Sequence, residues 1–154
     1  MQTTSTQQAG SNSPVAALTL RATALQAARQ ETLSHYTQDQ QDAVLHLYHL
    51  VKCHLGTSGG NAAAKLLLGL YNGRRFPFDL TDFRVFDAIN FKAAMMVLAM
   101  DAQRCWCEVH VLLDTILGAG ADTGAEFENW AYNMRLPKRC KKDQLPSLTR
   151  RVLS

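Results

Sequence analysis

The stretch Leu66–Asp87, LLLGLYNGRRFPFDLTDFRVFD, decides the fold. Its first residues are apolar at helical spacing, and Asn72-Gly73 then ends the helix because both residues tolerate the left-handed conformation of a helix C-cap. Pro77 lacks an amide hydrogen and restrains the residue before it to extended geometry. Asp79 is a good N-cap for a new helix, with Asp82 in an acidic first turn. The stretch therefore predicts two helices joined by a basic and aromatic turn.

Most of this turn has a structural explanation. Phe78 before the N-cap and Phe83 after it have the spacing of a hydrophobic staple. Folding does not explain the segment formed by Arg74, Arg75 and Phe76. We expect the two arginines to face solvent and all three residues to belong to a partner-binding surface.

Helical spacing of apolar residues recurs along the whole chain, and no segment shows the alternation typical of a strand. The spacing predicts helices over about residues 14–33, 38–55, 62–71, 79–89, 91–103, 105–117 and 122–134. Asn61 and Asn90 are the expected N-caps of two of them. In the fifth helix we expect one apolar face, formed by Phe91, Ala94, Met95, Leu98 and Ala99. In the sixth helix we expect Trp106 to face inward. The predicted fold class is all-α, a compact bundle of six or seven short helices.

The 154 residues include 47% apolar residues, enough for the core of one domain. Residues 1–13 are polar and low in complexity, so we expect a disordered and mobile N-terminus. The helical domain is expected over 14–134, followed by a basic tail over 135–154. The tail carries a net charge of +6 and the rest of the chain −3.

This charge asymmetry is typical of contact with an acidic partner. In the tail we expect Arg139, Lys141 and Lys142 to bind that partner. The alternative is a regulator that binds nucleic acid directly, because Lys and Arg that neutralise phosphates give salt-dependent binding. A second alternative is that the acidic body mimics nucleic acid for a basic partner through Asp79, Asp82 and Asp87.

The four cysteines are badly placed for a disulfide framework, since Cys105 and Cys107 are only two residues apart. No apolar run approaches the length of a membrane span, and the N-terminus lacks the pattern of a secretory signal. We therefore expect a cytoplasmic protein with free thiols that does not contact a membrane. Met95, Met96 and Met100 form an adaptable apolar surface, which together with exposed aromatics at the turn favours a homodimer.

Candidate chemical sites are weak. His46, His49 and Cys53 lie on one helical face, and His and Cys are residue types that bind zinc. A solvated polar face is the favoured interpretation, so no metal site is expected. Cys107 and His110 are one helical turn apart, which gives proximity without the directed geometry of a thiol nucleophile and its base. The glycine-rich run 56–61 favours a plain loop over an anion site. The sequence therefore predicts no cofactor and no enzyme activity.

Four segments carry a resemblance to a known group of proteins. They are the Leu66–Asp87 stretch, VLAMD at 97–101, EVHVLL at 108–113 and FENWA at 127–131. Together they resemble a family of small uncharacterised proteins carried on integrative and conjugative elements and plasmids of Pseudomonas and related proteobacteria. The likeness covers about residues 60–134. It implies an accessory protein of a mobile element, with an inhibitor of a host defence system, such as an anti-CRISPR, as one expected function. It supplies no catalytic residues.

Overall fold

The structure, a computed structural model, describes residues 14–136. The described residues form an all-α fold of six α-helices and one 3-10 helix, which confirms the predicted fold class. The predictions of a disordered segment over 1–13 and of most of the basic tail lie outside the described residues. The helices are α1 (Pro14–Ser34), α2 (Gln38–His54), α3 (Ser58–Asn72), the 3-10 helix (Leu80–Val85), α4 (Ala88–Gln103), α5 (Val109–Leu117) and α6 (Thr123–Asn133).

The chain divides into two compact units, one ending at Glu31 and one beginning at Thr32. Most of α1 belongs to the first unit. This helix is rich in the helix formers Ala, Leu, Gln and Arg, and none of its residues is buried. None of the helices within 14–136 is both long enough and apolar enough to cross a membrane.

The second unit is built around α2 and α3. Apolar side chains at i, i+3 and i+7 of α2 turn inward and pack with the leucines of α3, while α4, α5 and α6 cover the remaining sides. The largest fully buried apolar side chains are Val44, Leu47, Val51, Leu66, Leu67, Leu68, Val97, Val109, Leu112, Leu113 and Phe127. The core therefore draws on every α-helix of this unit.

The helix starts differ from two of the predicted N-caps. Thr57, not Asn61, caps α3: its hydroxyl accepts from the Gly60 N–H at 3.1 Å. The Asn61 side chain accepts instead from the Gly56 N–H at 2.9 Å and closes the preceding loop. Both residue types are good caps, so the geometry of the α2–α3 loop decides between them.

The helix expected over 79–89 is wrong in type and length. The segment is a 3-10 helix that Asp79 caps, and α4 begins sooner than expected because Asp87 accepts from the Asn90 N–H at 2.8 Å. Asn90 is therefore inside α4 and is not its cap. The predicted staple is confirmed, with the rings of Phe78 and Phe83 in edge contact at 4.9 Å between centroids.

The sixth predicted helix begins later than expected, and Trp106 does not face inward. The Cys107 N–H donates to the buried Tyr36 hydroxyl at 3.2 Å, which anchors an irregular α4–α5 loop. Trp106 remains 53% exposed and stacks on His35 with 4.1 Å between ring centroids.

Candidate functional site

Arg75 is held inside the second unit. Its two terminal nitrogens each donate to one oxygen of Glu128 at 2.6 Å, a bidentate ion pair between the α3 turn and α6. The Glu128 side chain is fully buried and that of Arg75 is 20% exposed. The Tyr71 hydroxyl donates to the same carboxylate at 3.2 Å. The expectation that Arg75 faces solvent is therefore wrong, because the buried carboxylate requires its charge.

The electrostatics of this group agree with a structural ion pair. Its hydrogen bonds to Glu128 raise the pKa of Arg75, and burial, followed by the charge of Glu128, raises the pKa of Tyr71. Both side chains therefore stay protonated over the whole physiological range. The group fixes the turn against α6.

Phe76 is also unavailable as a surface residue. It is 3% exposed and packs in the core, with the Arg75 guanidinium 4.5 Å from its ring centroid. The turn is tightened by the Phe76 N–H, which donates to the Asn72 carbonyl at 2.9 Å. Of the three turn residues proposed as a partner surface, the structure leaves only Arg74 exposed.

The three acids proposed to mimic nucleic acid all have structural partners within the fold. Asp79 accepts from the Thr81 N–H and hydroxyl, both at 2.8 Å, and these bonds lower the pKa of Asp79. Asp82 pairs with Lys65 at 3.0 Å, and Asp87 caps α4. Each of the three carboxylates therefore has a structural role: two cap helices and one forms an ion pair with α3.

The histidines and cysteines are dispersed. Nε2 of His46 lies 2.7 Å from Oδ1 of Asn90, the His49 ring packs edge-on against Tyr48, and Cys53 is an exposed free thiol. Cys107 Sγ lies 3.4 Å from the Tyr36 hydroxyl. The His110 ring instead packs edge-on against Tyr71, with 5.0 Å between ring centroids. Within residues 14–136 no group of three or more His, Cys, Asp or Glu side chains could hold a metal ion.

The apolar face expected on α4 is only partly buried. Ala94, Val97 and Met100 face the core, whereas Phe91 is 44% and Met95 41% exposed. The single apolar face expected for this helix is therefore divided between core and surface. Because α4 is apolar on nearly all sides, periodicity alone cannot choose the buried side. A helix of that composition is normally covered on both sides, which is the signal that could have identified the surface. We call the residues opposite the core the outward face of α4: Ala88, Phe91, Met95, Ala99 and Ala102.

The remaining candidate residues, Arg139, Lys141 and Lys142 of the tail, lie outside the described residues. No curated protein and no solved structure matches the chain. A family of unknown function (DUF7673) matches residues 41–131, more than half of the chain, and the protein therefore belongs to this family.

Proposed function

We propose that the protein is a non-catalytic binding protein that works as a homodimer, held through the outward face of α4, and acts on a protein or nucleoprotein complex of the host cell. One observation supports the dimer in this proposal. Five exposed residues of α4, all apolar, fall within an arc of about 80° on a helix of 3.6 residues per turn.

The absence of charge in this arc favours a second copy as the occupant. At a two-fold interface each residue near the axis meets itself, so a charge there would be repelled by its own copy. Met95 is central in the arc and is neutral, and Lys92, the nearest charge along α4, lies beside the arc. A pair of neutral surfaces is therefore suited to self-association.

The order of side-chain sizes along the arc is also self-complementary. When two copies of α4 cross antiparallel about Met95, Phe91 of one copy lies opposite Ala99 of the other, and Ala88 lies opposite Ala102. The large Phe91 side chain then meets the small Ala99, the Ala88–Ala102 pair allows close approach, and Met95 packs on its own copy at the axis. The antiparallel arrangement also places the opposite ends of the two helix dipoles together.

The oligomeric state tests the dimer. Met95→Glu would place two carboxylates at the two-fold axis and should convert a dimer to a monomer in sedimentation velocity. Val111→Glu on α5 is the matched control, since Val111 is 42% exposed and apolar. A wild-type chain that sediments as a monomer, or a Met95→Glu variant that remains a dimer, would contradict the proposed interface.

A second measurement fixes the geometry. In a chain whose native cysteines are replaced by Ser, Met95→Cys should form an intersubunit disulfide under mild oxidation, since the two thiols would meet at the axis. Val111→Cys should not. Equal cross-linking at both positions would indicate random collision.

The target of the dimer follows from the resemblance to mobile-element proteins and remains a prediction. Expression in the cytoplasm of a bacterium with an active CRISPR defence should restore entry of a targeted plasmid. The Met95→Glu variant should lose this effect and Val111→Glu should retain it. Unchanged plasmid entry with the wild-type protein would exclude inhibition of the defence tested.

A further inference from the structure

A cleft lies between the start of α2 and the α4–α5 loop. Its volume is about 490 Å³, within the range of small-molecule sites. The buried side chains Tyr36 and Met100 form its floor. The other lining residues are Ser34, His35, Thr37, Gln40, Gln103, Arg104 and Trp106.

The aromatic wall of the cleft is a stack in contact with solvent. The His35 and Trp106 rings are 4.1 Å apart with an interplanar angle of 12°, and Trp106 is 53% exposed. A half-exposed Trp already stacked on one ring offers apolar area to a second flat ring. Stacking of this kind is tolerant of the identity of the ring and is the usual way in which proteins hold nucleobases.

Arg104 gives the lining of the cleft a cationic group. None of the described residues that line it is Asp or Glu, and Arg104 supplies a full positive charge. Its guanidinium has no hydrogen bond or ion pair with any residue of the described range. Arg readily binds phosphate through two parallel hydrogen bonds. The Arg104 side chain thus carries charge that the fold itself does not use.

Amide groups add donors for a polar ring edge. Oε1 of Gln40 accepts from the Thr37 N–H at 2.9 Å, which leaves the amino group of Gln40 as a donor. Gln103 contributes a second amide at the end of α4. Stacking surface, cation and amide donors are contacts that proteins use to bind nucleotides.

We propose that this cleft binds a nucleotide unit, with the base on the Trp106–His35 stack and the phosphate on Arg104. The same chemistry is offered by a free nucleoside monophosphate and by the phosphorylated end of a single strand. Neither ligand is part of the α4 dimer proposed above, so failure of one proposal would leave the other unaffected.

Tryptophan fluorescence of the full-length protein tests the site. The chain has two tryptophans, of which Trp130 is 4% exposed and Trp106 is not buried. Titration with adenosine monophosphate should therefore quench emission saturably, and Trp106→Phe should remove the change in signal. Arg104→Gln should weaken binding by roughly tenfold or more, the usual effect of losing a charge-assisted hydrogen bond. Arg84→Gln, at another exposed arginine, should leave affinity unchanged.

The two sources are separated by repeating the titration with a short single strand that carries a terminal phosphate. Tighter binding of the strand than of the monophosphate identifies the strand end, and equal or weaker binding identifies the free nucleotide. The proposal is overturned if neither ligand quenches saturably at millimolar concentration. It is also overturned if Arg104→Gln and Arg84→Gln weaken binding equally, because the attraction would then be a property of the overall charge.

Discussion

The fully buried carboxylate of Glu128 makes Arg75 a structural residue. An isolated charge in a protein interior is strongly unfavourable, and the bidentate contact with Arg75 and the bond from Tyr71 offset that cost. The sequence shows two neighbouring arginines on a turn and cannot distinguish them, because the partner of one lies 53 residues away along the chain. Only the assembled fold separates the buried Arg75 from the exposed Arg74.

The two arginines give a matched test. Arg75→Met should lower the free energy of unfolding by about 3–5 kcal/mol, since it leaves the Glu128 charge buried without a partner. Arg74→Met should change it by less than about 0.5 kcal/mol, as is usual for an exposed side chain. Urea unfolding of both variants measures the difference. Similar midpoints for the two variants would show that the Arg75–Glu128 pair contributes no more than a surface contact.

Removal of the charge of Asp101 and removal of the charge of Asp79 should change the stability of the protein in opposite directions. Burial raises the pKa of Asp101, and the charge of Glu108 adds to the shift against a hydrogen bond from Cys105. Its folded-state pKa lies above the unfolded value, so its contribution to stability is lost as pH rises through the folded pKa. Bonds from Thr81 lower the pKa of Asp79, so its contribution is present above the unfolded pKa and is lost as pH falls.

At neutral pH, Asp101→Asn should therefore raise the melting temperature and Asp79→Asn should lower it. Both differences from the wild type should shrink in acid, where the carboxyl groups are protonated in the folded and unfolded chains alike. Thermal melts at neutral and acid pH measure the four differences. Shifts of the same sign, or shifts independent of pH, would contradict the assigned causes.

At the scale of the elements, α2 and α3 are joined by a close backbone approach. A Cβ atom on Gly60 would overlap the His54 carbonyl oxygen, which already accepts from the Thr57 N–H at 3.0 Å. Gly59, its neighbour, has open space where a Cβ would lie. Gly60 is therefore required by the contact between the two helices, whereas Gly59 is not.

Gly60→Ala should lower the free energy of unfolding by about 1–3 kcal/mol or more, because the overlap is with backbone and the helices must separate. Gly59→Ala should be neutral or should stabilise the protein by about 0.4–1 kcal/mol, since alanine restricts the unfolded chain. Chemical unfolding compares the two. Equal effects would mean that the end of α2 relaxes without cost.

The helices themselves could be predicted from sequence because apolar spacing is a local signal, as the near agreement at α2 and α6 shows. The first residue of a helix could not be predicted where two good N-caps lie close together, as Thr57 and Asn61 do. The orientation of α4 could not be predicted, because Phe91 and Met95 are as apolar as the residues that it buries. The composition of α4 therefore indicated an apolar surface, but the sequence could not show which of its residues form the candidate interface.

At the scale of the whole molecule, the buried residues of the described range lie in the second compact unit. All buried residues within 14–136 lie between Tyr36 and Ala131, and the family match spans nearly the same range, 41–131. The second compact unit begins at Thr32. The information for folding is therefore concentrated in that unit, and the family similarity follows the core.

A chain that begins at Thr32 should fold by itself. Its melting temperature should stay within about 4 °C of the full-length value, the shift that about 1 kcal/mol causes in a domain of this size. A chain that begins at Asp39 is the control: it loses the buried Tyr36 and the Thr37 cap, and should melt far lower. Circular dichroism follows both transitions. A chain from Thr32 that melts like the one from Asp39 would show that the first unit contributes to the stability of the second.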